Sequence, residues 1–410
     1  MIDSYINASR KNKPCPEGIQ LHYGMYFNGL CLQLPFATDV PTFTIAYSVE
    51  RSCELATIKE KKFLIYDQYL GQSFNRLNRI NFAKSHQDSL SQSYGCKYVA
   101  EKLLVKGELE LASFFALTSL SFKENIKNKK PFTLSDEEEG RRNALIVVQE
   151  IFVIAHELAH HIYDINVDAG MHPDDKTEKN LKEYIESIKN KQFTDSDHQE
   201  ALKRYGKEIA DDLKSSEGVR YDFFLDTLNE KNNELLSEVF ADDLGALLTF
   251  RLASELYKIP AETICEAIIL SFKYLRLFGH LDLLVDELKK VRYATDGEQL
   301  KSLLEQLANK IWGNEDRKIR TKFNQLREHF LRERLQLVST IAGFEPNKFE
   351  NKLRDAVDHY DRYIEGPIVF ELVDKLSKIL DFELVNNLNS KNKSDEELVT
   401  LIDKITGWES

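Results

Sequence analysis

Val153-Ile154-Ala155-His156-Glu157-Leu158-Ala159-His160-His161-Ile162 is the stretch on which the reading of this chain turns. His156 and His160 are four residues apart, and Glu157 sits beside the first. On a helix, residues at that spacing share a face, one turn apart. Both imidazoles can then reach one metal ion, while the Glu157 carboxylate reaches a water on that ion rather than the ion itself. A zinc hydrolase needs this arrangement: two fixed nitrogen ligands, an open coordination position and a base over the water. The bland alternative is a pair of polar residues on a helix with a solvated glutamate. The flanks argue against it, because Leu145, Ile146, Val147, Val148, Ile151, Phe152, Val153 and Ile154 surround the motif with apolar side chains. Histidines in such an interior need partners.

Working outward, Ser135-Asp136-Glu137-Glu138 has the form of a capping box, with acids suited to a helix N-terminus. A helix is expected from there to about Tyr163. Downstream, Asn232 to Leu248 reads as a second buried helix carrying Glu238 and Asp242 at four-residue spacing. A two-histidine zinc site needs a third ligand, and each ligating histidine needs its second nitrogen held. Glu238 as ligand and Asp242 as orienting carboxylate supply both from one face. Glu234, one turn earlier, is the alternative ligand. Asp243 points away, either solvated or paired, and His161 is assigned to packing or to support of the ligands. Ala241 and Gly245 are small enough to let this helix approach the first.

The pair of motifs, His156-Glu157-x-x-His160 followed by Glu238-x-x-Ala241-Asp242, resembles the gluzincin metallopeptidases. It is similar to the soluble catalytic domains of the CAAX-prenyl-protease and heat-shock-protease group, and to the antirepressor-cleaving metallopeptidases of mobile elements. The resemblance implies zinc on His156, His160 and Glu238, Glu157 as general base, and Asp242 in support. It also implies an edge strand that holds an extended peptide, for which Phe63 to Tyr66 is the candidate. The chain departs from these families in two ways. Between His160 and Glu238 lie 77 residues, a long spacer. The His-Pro…Arg element of the heat-shock group has no clear counterpart, the nearest stretch being Asn314 to Arg320, which lacks histidine. The group that would stabilise an oxyanion is left open among His280, Arg320, His359 and Tyr360.

Bulk properties set bounds. The 410 residues carry a net charge of −12, with no basic stripe to offset it, which disfavours nucleic acid and anionic membranes as partners. Five scattered cysteines without a C-x-x-C pair read as reduced thiols in a cytoplasmic protein. Met1 to Lys13 has no apolar core of a signal peptide. The run Ala144 to Ala155 is too short for a membrane span.

The rest of the chain is read as follows. Gln20–Phe27 and Leu30–Phe36 flank Asn28-Gly29 and predict a hairpin. Thr42–Val49 and Lys62–Tyr66 predict two further strands. Gln68–Phe82 has helical spacing, Lys84–Gly95 reads as a loop, and Cys96–Phe122 as a helix or a pair broken near Gly107. Residues 164–233 form an insert, with short helices at Leu181–Ile188 and Glu200–Leu213, that either covers the cleft, recognises a partner or is a surface excursion. Helices are expected at Pro260–Phe278, Leu281–Val291, Gln299–Trp312, Lys318–Ile341, Phe349–Tyr363, Pro367–Leu380 and Asp395–Ile405, with a linker at Gly366-Pro367. The alternating charges at Arg327, Glu328, Arg332, Glu333 and Arg334 read as a solvated helix face.

The expectation is therefore an α+β, zincin-like protein, mostly helical, with a small N-terminal β-sheet and a helical C-terminal region. It divides into a β-rich region at 1–83, a catalytic core at 84–290 containing the insert, and a helical region at 291–410. The expected function is zinc-dependent endopeptidase action on a protein or peptide substrate. The alternative is a regulatory or partner-binding protein on the same scaffold, inactive until triggered by a protein partner.

Overall fold

The computed structural model describes residues 2–9, 17–34, 40–83, 85–124, 134–190, 224–229, 232–291, 296–312, 315–341 and 345–372, with a few isolated positions between them. The fold is mostly helical around one small mixed sheet, an α+β arrangement. In chain order the elements are α1 (Ile2–Ser9), α2 (Glu17–Cys31), β1 (Thr42–Ala46), β2 (Cys53–Ile58), β3 (Lys61–Asp67), α3 (Gln68–Asn81), α4 (Gln87–Val105), α5 (Leu109–Glu124), α6 (Asp136–Asp168) and α7 (Pro173–Asn190). They continue with α8 (Asn232–Glu255), α9 (Ala261–Val291), α10 (Gly297–Trp312), α11 (Glu315–Ile341), α12 (Pro346–Tyr360) and a π-helix (Asp361–Glu371).

α6 is the axis. Its start is fixed by Ser135, whose Oγ accepts from the Glu138 N–H at 3.3 Å while the Ser135 N–H donates to Glu138 Oε2 at 2.8 Å. Four acids, Asp136 to Glu139, occupy its first turn, where the helix dipole favours them. Leu145, Val148, Ile151, Phe152, Ile154, Ala155, Leu158 and Ala159 are buried, and the helix packs on α8, α9, α3, α2 and β2. Each fully buried leucine or isoleucine contributes on the order of 1.5–3 kcal/mol. By length and composition the helix could cross a membrane, and 67% of its apolar window is buried inside the fold. One hydrophobic cluster runs from Tyr23 to Leu372, and a second joins α7, α8 and α11 through Leu181, Leu235 and Phe330.

The sheet order is β1-β3-β2, with β1 parallel and β2 antiparallel to the central β3. The strands expected at Thr42–Val49 and Lys62–Tyr66 are β1 and β3. β2 is an additional strand that the sequence reading did not place. Its turn into β3 uses Lys59 and Glu60, both at positive φ (47° and 66°), a turn geometry that usually selects Asn and Gly.

Three expectations are corrected. The hairpin at Gln20–Phe36 is not formed, because Glu17–Cys31 is α2. Tyr23, Tyr26, Phe27 and Leu30 are buried at a helical spacing, not an alternating one. Gly29 lies within the helix rather than in a turn and packs against α8, where a Cβ would lie 2.9 Å from Leu252 Cδ1. The loop at Lys84–Gly95 is instead the first half of α4, whose buried polar residues find partners in the fold. Ser91 Oγ donates to the Tyr363 carbonyl at 2.6 Å and Gln92 Nε2 to Glu371 at 2.7 Å. The linker at Gly366-Pro367 lies inside the π-helix, whose wider turn accommodates a proline with no N–H to give.

The break near Gly107 (φ +82°) is present between α4 and α5. The two helices expected from Pro260 to Val291 form one, α9. The helices expected at Glu200–Leu213 and Asp395–Ile405 fall outside the described residues.

Candidate metal centre

α6 and α8 pack closely where the two motifs face each other. A Cβ on Gly245 of α8 would stand 3.0 Å from both the N and Cα of His156, so a side chain here would push the two backbones apart by a few tenths of an ångström. Ala241, one turn earlier, is fully buried in the same seam. The expectation that these two small residues allow close approach is met.

This contact brings His156, His160 and Glu238 into one group that could hold a metal ion. The two Nε2 atoms are 3.2 Å apart. Glu238 places Oε2 at 3.6 Å from His156 Nε2 and Oε1 at 3.6 Å from His160 Nε2. A tetrahedral ion with bonds of about 2.0–2.1 Å separates its ligands by about 3.3–3.4 Å. The three side chains already stand at nearly that separation, so the donor set fits a divalent ion. All three are partly exposed, which gives the site access from solvent.

The remaining imidazole nitrogens are also held. His156 Nδ1 is 3.1 Å from Asp242 Oδ1, an ion-pair contact without the alignment of a linear hydrogen bond. His160 Nδ1 is 3.3 Å from Ser237 Oγ. Burial pulls the His156 pKa down, and Asp242, Glu157 and Glu238 outweigh it and leave it raised. Burial lowers the pKa of His160, with the His156 charge adding to the effect.

Glu157 stands beside the ligands under β2. Burial raises its carboxyl to about 7, with the charges of Glu238 and Glu54 adding to the shift and His156 and the Leu55 backbone N–H opposing it. The strand next to this base is β2, not β3. Phe63–Tyr66 belongs to the central strand, paired on both sides, so the expectation that it receives a peptide is corrected. Among the described residues β2 pairs only with β3, and its other edge is the one that could accept an extended chain.

Arg327 of α11 is the residue the sequence reading missed. The alternating charges around it predict a solvated face, yet its side chain is only 11% exposed and reaches the partner carboxylates of His156. Nε donates to Asp242 Oδ2 at 2.8 Å and Nη2 to Asp242 Oδ1 at 3.0 Å, and Nη2 lies 2.6 Å from Glu238 Oε2. Burial raises the Asp242 carboxyl, and the Arg327 and His156 interactions outweigh it, holding the pKa at about 2. One turn of charge pattern is therefore interior. Glu328 is buried against Lys273 and Arg276 at 3.4 and 3.6 Å, and Arg334 forks onto Asp243 at 2.8 and 3.1 Å. Asp243 is thus paired.

The other candidates have different surroundings. Glu234 is exposed and outside the three-residue group, and His161 is buried. His280 Nδ1 is 3.7 Å from Glu365, His359 contacts Gln87 and the Asn81 carbonyl, and the Tyr360 hydroxyl donates to the Lys273 carbonyl. The Arg320 side chain lies outside the described residues. Comparison with protein-family models, with curated proteins and with solved structures gave no match for this chain.

Proposed function

We propose that this chain is a zinc-dependent endopeptidase with a zincin-like arrangement of its two motif helices. The observation that carries the reading is the triangle of His156, His160 and Glu238, with sides of 3.2 and 3.6 Å and a base one residue from the first ligand. Two nitrogens and one carboxylate leave a coordination position open, as a catalytic rather than a structural zinc site requires. When bound, the metal supplies Lewis acidity and lowers the pKa of a water.

The protein's own residues do the rest. The Glu157 carboxylate, one residue from the first histidine, accepts the proton of the attacking water on an oxygen and returns it to the nitrogen of the leaving amine. Asp242 and Ser237 hold the two imidazoles in place. The edge of β2 away from β3, which no other described strand occupies, aligns an extended substrate beside Glu157 through main-chain hydrogen bonds. The substrate class is therefore an unfolded or loop segment of a protein, presented as a strand.

The test is Glu157→Gln, assayed for metal content and for cleavage of a peptide library. The variant is expected to retain the metal and to lose cleavage by at least about 100-fold, the scale of a general base. Cleavage at the wild-type rate would overturn the assignment.

A further inference from the structure

Glu238 presents both carboxylate oxygens to the imidazoles at equal distance. Oε2 is 3.6 Å from His156 Nε2 and Oε1 is 3.6 Å from His160 Nε2. Nothing in the two motif helices decides whether a metal ion meets one of these oxygens or both. The choice matters, because binding through both adds a donor and raises the coordination number at the position where a water binds.

The tie is broken from elsewhere in the chain. Arg327 comes from α11, far along the sequence from both motifs, and its Nη2 lies 2.6 Å from Oε2 of Glu238. The same guanidinium grips Asp242 with two parallel bonds of 2.8 and 3.0 Å, so it cannot swing away from Glu238 without giving those up. Its Cζ lies over the rings of Phe272 of α9 and Phe323 of α11, at 5.0 and 5.6 Å from the ring centres. A second fork, Arg334 to Asp243, fixes α11 to α8 two turns further on. No such hold acts on Oε1 of Glu238 among the described contacts.

We propose that Arg327 is a positioning residue that fixes Glu238 as a one-oxygen ligand, by occupying Oε2 and leaving Oε1 to the metal. The inference rests on the reading that His156, His160 and Glu238 bind the ion. A bidentate, two-carboxylate grip suits arginine and no other cation. Lysine keeps the charge but, as a point donor, cannot span Asp242 and Glu238 in one plane.

The experiment uses the full chain loaded with Co(II), whose visible absorption is intense in four-coordinate sites and weak at higher coordination. The wild type is expected to bind one Co(II) with the intense spectrum. Arg327→Lys is expected to bind Co(II) with a several-fold weaker band and about 10–100-fold lower affinity, the usual scale for loss of a ligand's supporting partner. Arg327→Met is the more severe variant; if it fails to fold, Arg327→Lys decides. Identical spectra and affinities in wild type and Arg327→Lys would overturn the role of Arg327 while leaving the metal centre standing. A wild type with the weak, higher-coordinate spectrum would overturn it as well. A wild type that binds no Co(II) or Zn(II) would instead remove the metal reading, and the proposal with it.

Discussion

α6 and α11 both send side chains into the same centre, but only one of them announces it. In α6 the chemistry is local: two histidines and a glutamate within five residues, set in an apolar run that has no other use for them. In α11 the same centre is served by Arg327, which sits among Glu328, Arg332, Glu333 and Arg334 in a pattern indistinguishable from a solvated surface. The difference is one of range. Ligands spaced by one helical turn are written into adjacent sequence, whereas the cation that balances a buried carboxylate is chosen by the tertiary fold. A helix rich in both charges can hide a buried side inside an apparently exposed pattern, because arginine carries its charge at the end of a long stem.

The largest expected effect tests the legible helix. If His156 and His160 bind the proposed ion, replacing either with alanine should lower metal affinity by more than the 10–100-fold expected of a supporting residue. Dialysis against a competing chelator measures it. Retention of stoichiometric metal in the double variant would place the centre elsewhere.

A second effect belongs to the same helix, further from the metal. Glu150 of α6 is buried and its carboxyl is raised to about 7 by burial, with the neighbouring Tyr23 and Tyr66 hydroxyls opposing the shift. Its Oε1 accepts from the Tyr23 hydroxyl at 2.7 Å. A raised folded-state pKa means the folded protein holds the proton more tightly than the unfolded chain. The stabilisation is then complete below the unfolded value of 4.5 and is lost as pH rises through about 7. Across that window stability should decline by on the order of 3 kcal/mol, at about 1.4 kcal/mol per pKa unit. Urea unfolding of Glu150→Gln should show this contribution to the slope removed. An unchanged slope would mean that the carboxyl is ionised in the fold.

The smallest effect sharpens the contrast within α11. Arg334 and Asp243 form the same fork as Arg327 and Asp242, but both partners are about one-third exposed. Arg334→Met should cost at most about 1 kcal/mol and leave metal affinity unchanged, as solvent-screened pairs do. A loss of metal comparable to that of the Arg327 variants would show that the whole face of α11, rather than one residue, supports the centre.

The sequence alone made α6, its capping box, the second motif helix and the inward set His156, His160, Glu238 and Asp242 readable, because each rests on helical spacing over a short span. It also made β1 and β3 readable, through β-branched and aromatic runs. The failures share a cause. Asn28-Gly29 carries a strong local turn signal, overridden by the burial of Tyr23, Tyr26, Phe27 and Leu30 on one helical face. Ser91, Gln92 and Ser93 look like loop residues, yet their hydrogen-bond partners lie in the C-terminal region and on α5. β2 was missed because Glu54 and Thr57 interrupt any apolar run and its pairing comes from β3.

The glycine at 245 has a consequence for engineering. The gap between the two motif helices is set by backbone touching backbone, at the residue that bears the first imidazole. Copying the histidines and acids onto another pair of helices would therefore reproduce the inventory without the spacing. A transplant would need a hydrogen in place of a side chain, in register with the leading histidine, before any of the donor atoms could converge.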